Sequence, residues 1–168
     1  MWFQDEARIG QQATLTRVWG ERGSRPRAVR QTEYKWAYVF GVADPLTGQS
    51  SALIAPTVNT KLMGDHLRMI AREAGGGVHV VLVLDGAGWH KADGLAVPPN
   101  MTLLFLPPYA PELMPMERVW AWMRQHDLSN RVFKDEADID AACTTSWNKL
   151  TPERLRTLTH EAWLERAD

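Results

Sequence analysis

Residues 78–90 read VHVVLVLDGAGWH. Positions 78–84 are apolar with almost no alternation. That is the pattern of a strand covered on both faces, usually a central parallel one. The run stops at Asp85, and Gly86, Ala87 and Gly88 follow. An aspartate here can simply start the turn into the glycines. It can equally be held for chemistry, because open α/β sheets bind ligands outside the carboxyl ends of their strands.

On the N-terminal side, Gly75-Gly76-Gly77 closes a helix expected from an Asn59 or Thr60 cap to about Ala74. Its apolar stripe is Met63, Leu67, Ile70 and Ala74. Residues 36–43 and 50–55 read as a hairpin across the Asp44–Gly48 turn. A first strand starts at Trp2, and 13–18 (ATLTRV) reads as a second short one. On the C-terminal side, 102–106 is a further buried strand. Helices are expected over about 113–126, 135–149 and 152–166, the last with Thr151 as cap and Pro152 at its first position. No internal repeat, low-complexity tract or second domain is visible. The order predicts a mixed α/β layer fold around one sheet, with parallel strands joined by a right-handed crossover.

The 168 residues suffice for one domain with a proper core. The longest apolar runs have strand length, so none reads as a membrane span. The opening MWFQDEARIG has neither a basic n-region nor an apolar h-region. One cysteine, Cys143, allows no internal disulfide and fits a reducing compartment such as the cytoplasm. The formal charge of −1 does not announce a nucleic-acid binder. Locally, however, the stretch from Arg17 to Lys35 holds six basic residues against two acidic ones. Eight tryptophans are many for this length, so several belong in the core or on a partner surface. The chain opens abruptly inside a strand, as a fragment or a truncated reading frame would.

Three carboxylates invite comparison. Asp85 ends the most buried strand. Asp5 lies in the first strand, with Glu6 pointing to the opposite face. From that segment alone, a solvent-facing acidic pair on an edge strand is the simpler reading. Glu117 lies at the margin of the stripe Leu113, Met116, Trp120 and Met123, leaning toward the core edge. Its plain role is a first-turn acid favoured by the helix dipole. Carboxylates on three separate elements are also what a hard divalent ion uses. Two such ions about 4 Å apart activate a water or a 3′-hydroxyl and stabilise the leaving oxygen of a phosphodiester. The sequence shows no G-x-S-x-G, P-loop, paired-cysteine or H-E-x-x-H pattern. His66, His79, His90, His126 and His160 are scattered.

Taken together, FQDEARIG at 3–10, VLDGAGWHKA at 83–92 and LPPYAPELMPMERVW at 106–120 resemble the DDE transposases. They look most like the bacterial insertion-sequence branch of the mariner superfamily. The W-G-x-x-G-x-x-P segment from Trp19 to Pro26 fits as well. The resemblance implies an RNase H-like fold and a catalytic, metal-binding triad of Asp5, Asp85 and Glu117. It implies Mg2+ or Mn2+, two ions, as cofactor. It implies transposon-end and target DNA as partners and TA target sites; a homodimer is compatible with it, the sequence leaving the oligomeric state open. His90 matches a recurrent histidine that either positions phosphate or holds the loop. Candidate phosphate contacts are Arg8, Arg22, Arg25, Arg27, Arg30 and Lys35. Two departures stand out. The family's L-N-P before the acid is Leu113-Met114-Pro115 here, and the helix-turn-helix region that grips element ends is expected to be absent or separately encoded. A decayed or repurposed fragment, and an RNase H-like nuclease of other specificity, remain the alternatives.

Overall fold

The computed structural model describes residues 1–12, 15–27, 29–108 and 110–164. Five strands form one sheet: β1 (Trp2–Gly10), β2 (Trp36–Ala43), β3 (Ser50–Ala55), β4 (Val80–Leu84) and β5 (Met101–Phe105). Their spatial order is β3-β2-β1-β4-β5. β1, β2 and β3 pair antiparallel, whereas β1–β4 and β4–β5 pair parallel. This is the mixed, RNase H-like arrangement expected, with an antiparallel hairpin side and parallel central strands flanked by helices.

Helix α1 (Thr60–Glu73) covers one face of the sheet; α2 (Met116–Met123), α3 (Glu136–Trp147) and α4 (Pro152–Thr159) cover the other. Alternation along the strands feeds both layers. Trp2, Phe40, Val42, Leu82 and Leu84 pack with Met63, Leu67 and Ile70 of α1. Phe3, Ala7, Val39 and Val83 pack with Met116, Trp120, Ile139 and Leu155 of the three-helix side. Asn59 caps α1, its side chain accepting from the Leu62 amide at 2.9 Å. Thr151 caps α4 in the same way, with Pro152 in the first turn.

Several expectations are corrected. β1 runs to Gly10 and lies mid-sheet, so Asp5 and Glu6 are not on an edge strand. Residues 15–18 form no strand; Ala13 and Thr14 of that expected strand lie outside the described residues. The helix expected from 113 begins at Met116, because Pro115 forces Met114 into an extended conformation (φ −105°, ψ 92°). Beyond Met123 it widens into a π-turn over Arg124–Leu128. α4 stops at Thr159, where His160 turns extended, and Trp163 comes back edge-on to Phe3 at 6.0 Å. The rest of the helix expected to 166 includes residues outside those described.

The long stretch between β1 and β2 is tied down at both ends by the segment before α3. Gln11 and Gln31 both donate to the Phe133 carbonyl, at 3.0 and 2.7 Å. The Phe133 amide donates back to Gln31 at 2.7 Å. Asn130, in the left-handed region at φ 55°, exchanges hydrogen bonds with the backbone of Thr16.

His66 of α1 is fully buried against Phe40, and neither ring nitrogen has a partner among the described residues. Burial, helped by the nearby charge of His90, pushes it down to about 3. The unfolded chain therefore takes up a proton that the fold refuses, and stability falls as pH drops from about 6.5 toward about 3. His66→Leu is expected to flatten that acid limb. At neutral pH it should not destabilise, since an unpartnered buried polar group costs about 1–3 kcal/mol. Urea denaturation of both proteins at pH 7 and pH 5 measures this; an unchanged difference between the two pH values would count against it.

Candidate active site

β1 and β4 run parallel, with Trp2 opposite Leu82 and Phe3 opposite Val83. Asp5 lies on β1, and Asp85 follows the last residue of its neighbour β4. Glu117 comes from the first turn of α2. All three line one cavity of about 340 Å³, together with Gly86, Lys91, Met114 and the Leu106–Pro108 segment after β5. Among the described residues, no three His, Cys, Asp or Glu side chains form a group that could hold a metal ion. The carboxylates thus share a cavity without closing into a ligand cage.

Their surroundings differ. Asp5 is half-buried and accepts a hydrogen bond from Trp120 Nε1 at 2.9 Å. Burial pushes its carboxyl up to about 7; the Trp120 hydrogen bond opposes this, and the charges of Glu6 and Glu117 add to it. Asp85 is exposed, and its Oδ1 accepts from the Ala87 amide at 2.9 Å. It therefore does begin the turn into the glycines, and it faces the cavity as well. Glu117 is exposed at the cavity instead of leaning into the core edge.

His90 does not line the cavity. It is buried in the short 3-10 turn after Asp85, with Nδ1 2.8 Å from Asp85 Oδ1 and Nε2 2.9 Å from Glu6 Oε1. Burial alone would lower its pKa. The hydrogen bond and charge of Glu6, then those of Asp85, outweigh burial and hold it above the ordinary value. Of its two expected roles, this placement fits holding the loop. Arg8, Arg22, Arg25, Arg27, Arg30 and Lys35 are all exposed, Arg8 lying over the Trp36 ring at 5.3 Å.

Four contributors were not singled out from sequence. Glu6 lies on the α1 face of β1, its side chain nearly buried and accepting from Gln4, Trp89 and His90. Trp120 supplies the one side-chain donor to Asp5 among the described residues. Gly41, in register with Asp5 on β2, leaves the room that the Trp120 and Trp147 rings occupy. Lys91 lines the cavity with its ammonium over the Phe105 ring, and a Cβ on Gly86 would sit 2.7 Å from it. Lys91 follows His90 directly in the VLDGAGWHKA segment at 83–92, which was the available signal.

Residues 1–140 match the family described as DDE superfamily endonuclease. The uncharacterized protein y4pE/y4sA of Sinorhizobium fredii is 46% identical over 134 residues, covering 79% of this chain and 99% of that protein. Among solved structures, the Mos1 mariner paired-end complex with Mn is similar at a TM-score of 0.70 and 17% identity, covering 95% of this chain and 51% of that one. The catalytic domain of Mos1 mariner transposase gives 0.64 at 17% identity, covering 95% and 74%. The chain spans about half the length of the Mos1 chain in the paired-end complex. At these identities the likeness to Mos1 is one of fold.

Proposed function

This chain belongs to the DDE superfamily endonucleases, and on that premise we propose that it is a transposase catalytic domain that cuts DNA at a transposon end and joins it to target DNA. One observation carries the reading: carboxylates from a central strand, the end of its parallel neighbour and a helix line a single cavity. Their donor chemistry fits a hard divalent ion, Mg2+ or Mn2+, completed by water and phosphate oxygens. Asp5 is pushed up chiefly by burial, with the charges of Glu6 and Glu117 adding to it, and a cation bound beside it would favour the charged carboxylate that a metal ligand needs. Asp5, Asp85 and Glu117 would hold two ions. Bound there, the ions supply Lewis acidity that activates the attacking oxygen and stabilises the leaving one.

Trp120 orients Asp5, and Lys91 offers its ammonium to a phosphate oxygen. A water oxygen bonds to phosphorus, the P–O3′ bond breaks, and the 3′-oxygen leaves as a hydroxyl. That hydroxyl then attacks a target phosphodiester, displacing a second 3′-oxygen. Two chains, one per transposon end, form the working assembly in the bacterial cytoplasm. An end-binding region holds each transposon end in that assembly. The test is cleavage of a transposon-end duplex by this chain, with and without that end-binding region, in Mg2+, in Mn2+ and in EDTA. Cleavage that persists in EDTA overturns the reading.

A second reading, a repurposed fragment that folds without cutting, is favoured by Met114. The residue is buried against the cavity, and α2 has no side-chain cap. Absence of metal-dependent cleavage even with an end-binding region supplied, while Met114→Asn cuts, would favour it.

The exposed basic stretch after β1 is assigned to the DNA backbone. Each neutralised phosphate releases counterions and adds about 0.9 to the slope of log affinity against log salt. Replacing Arg22, Arg25, Arg27 and Arg30 together by Gln is expected to weaken duplex binding. The slope should flatten by about 0.9 for every phosphate that is no longer neutralised. Filter binding across a salt series reads it; an unaltered slope would make this a merely solvated loop.

A further inference from the structure

Glu6 and Asp5 are adjacent on β1, so their side chains leave opposite faces of the sheet. Asp5 enters the cavity; Glu6 does not line it. Yet Glu6 is held firmly. Its Oε1 accepts from Gln4 Nε2 at 3.1 Å, Trp89 Nε1 at 3.2 Å and His90 Nε2 at 2.9 Å. The other nitrogen of His90 lies 2.8 Å from Asp85 Oδ1 and 3.1 Å from the Asp85 carbonyl. The His90 side chain is fully buried and that of Glu6 is 8% exposed. A buried ion pair is seldom the most stabilising filling for such a space; apolar residues of similar volume usually do as well or better. The Asp85 contacts are also one-sided. The Ala87 amide and His90 Nδ1 both meet Oδ1, and Oδ2 meets nothing among the described residues.

We propose that Glu6 is a positioning residue: it fixes His90, which fixes Oδ1 of Asp85 and thereby presents Oδ2 to a divalent ion in the cavity. The order is Glu6 to His90 to Asp85, from the α1 face through the β4 turn to the opposite side of the sheet. Histidine bridging a fixed carboxylate to a liganding one gives the outer contact that orients metal ligands elsewhere, whose loss costs about 10- to 100-fold in metal affinity. The inference rests on Asp85 being a metal ligand.

The readout is Mn2+ affinity of the full chain, measured by electron paramagnetic resonance, with thermal melting as a check on folding. Asp85→Asn sets the reference loss. Glu6→Met keeps the volume of the side chain and removes its strong acceptor. His90→Gln keeps a polar group toward Glu6 and leaves Asp85 without its side-chain donor. Both are expected to bind Mn2+ about 10- to 100-fold more weakly while melting cooperatively. The double variant should bind no more weakly than His90→Gln, because Glu6 acts through His90. If Glu6→Met binds like the parent, or weakens His90→Gln as much as it weakens the parent, the positioning role is overturned. Should Glu6→Met not fold, Glu6→Gln replaces it. Its amide can still hold His90, so affinity should stay close to the parent; a loss as large as that of His90→Gln would overturn the role. If Asp85→Asn itself leaves Mn2+ affinity unchanged, the metal reading of the cavity fails, and this inference with it.

Discussion

Asp85→Asn is expected to fold like the parent and to lose metal-dependent cleavage by about a thousandfold. Asn is nearly the same size and can still accept the Ala87 amide hydrogen bond that Asp85 accepts at 2.9 Å. It serves in turns and caps about as well as Asp. The Asp85 side chain is 56% exposed, so the weakened pairing with His90 should cost no more than about 1 kcal/mol. What the variant lacks is the negative charge that a hard divalent ion requires. Such an ion lowers the barrier by several kcal/mol, and each 1.36 kcal/mol is tenfold in rate. The measurement is nicking of a labelled transposon-end duplex in Mg2+, with melting curves of both proteins beside it. If the parent cuts and the variant cuts equally well, Asp85 is a turn residue and nothing more.

The second large effect is expected at a position that carries no functional group. Gly41 pairs with Asp5 across β1 and β2. A Cβ built there would lie 2.4 Å from Trp120 Cη2 and 2.9 Å from the Trp147 ring. The two indoles pack together at 5.9 Å, Trp120 buried in the core and Trp147 partly buried against it. Gly41→Ala therefore overfills the layer between sheet and helices, at about 1–3 kcal/mol. For a chain of this length that is a fall in melting temperature of about 2–4 °C per kcal/mol. The displaced Trp120 also loses its hold on Asp5, so cleavage should drop further than the folded fraction explains. Trp120→Phe separates the effects by keeping most of the ring and removing the donor. Gly76→Ala, in open space, serves as control and should stay within about 0.5 kcal/mol of the parent. A Gly41→Ala protein that melts with the parent would mean the indoles move aside at no cost.

Local rules made much of this readable in advance. The apolar run 78–84 marked β4, and its abrupt end marked Asp85. The Asn59 and Thr151 caps, the glycines after α1 and the 36–55 hairpin all follow from short-range backbone preferences. Pro115 could have moved the start of α2 to Met116 by the same kind of rule. The failures have a common cause. Alternation says which face Glu6 takes but not what waits there, and its partner His90 is 84 residues further along. Gln31 and Phe133 are separated by 102 residues. Asp5 looked like an edge-strand acid because nothing in the neighbouring sequence reveals that β1 is central. Its placement needed the pairing with β4, which only the folded sheet supplies.

The hydrogen bonds of Gln11 and Gln31 to Phe133 close the chain between them, which carries Arg17, Arg22, Arg25, Arg27 and Arg30, into a ring. For such a ring the entropy of closure grows only with the logarithm of its length, about 0.6 kcal/mol per doubling. Residues added near its far side would lengthen its reach at almost no thermodynamic expense, while the knot at Phe133 keeps the disturbance away from the sheet. In the DNA-binding role proposed for this stretch, its reach and its distance from the carboxylates are therefore variables separate from whether the domain folds.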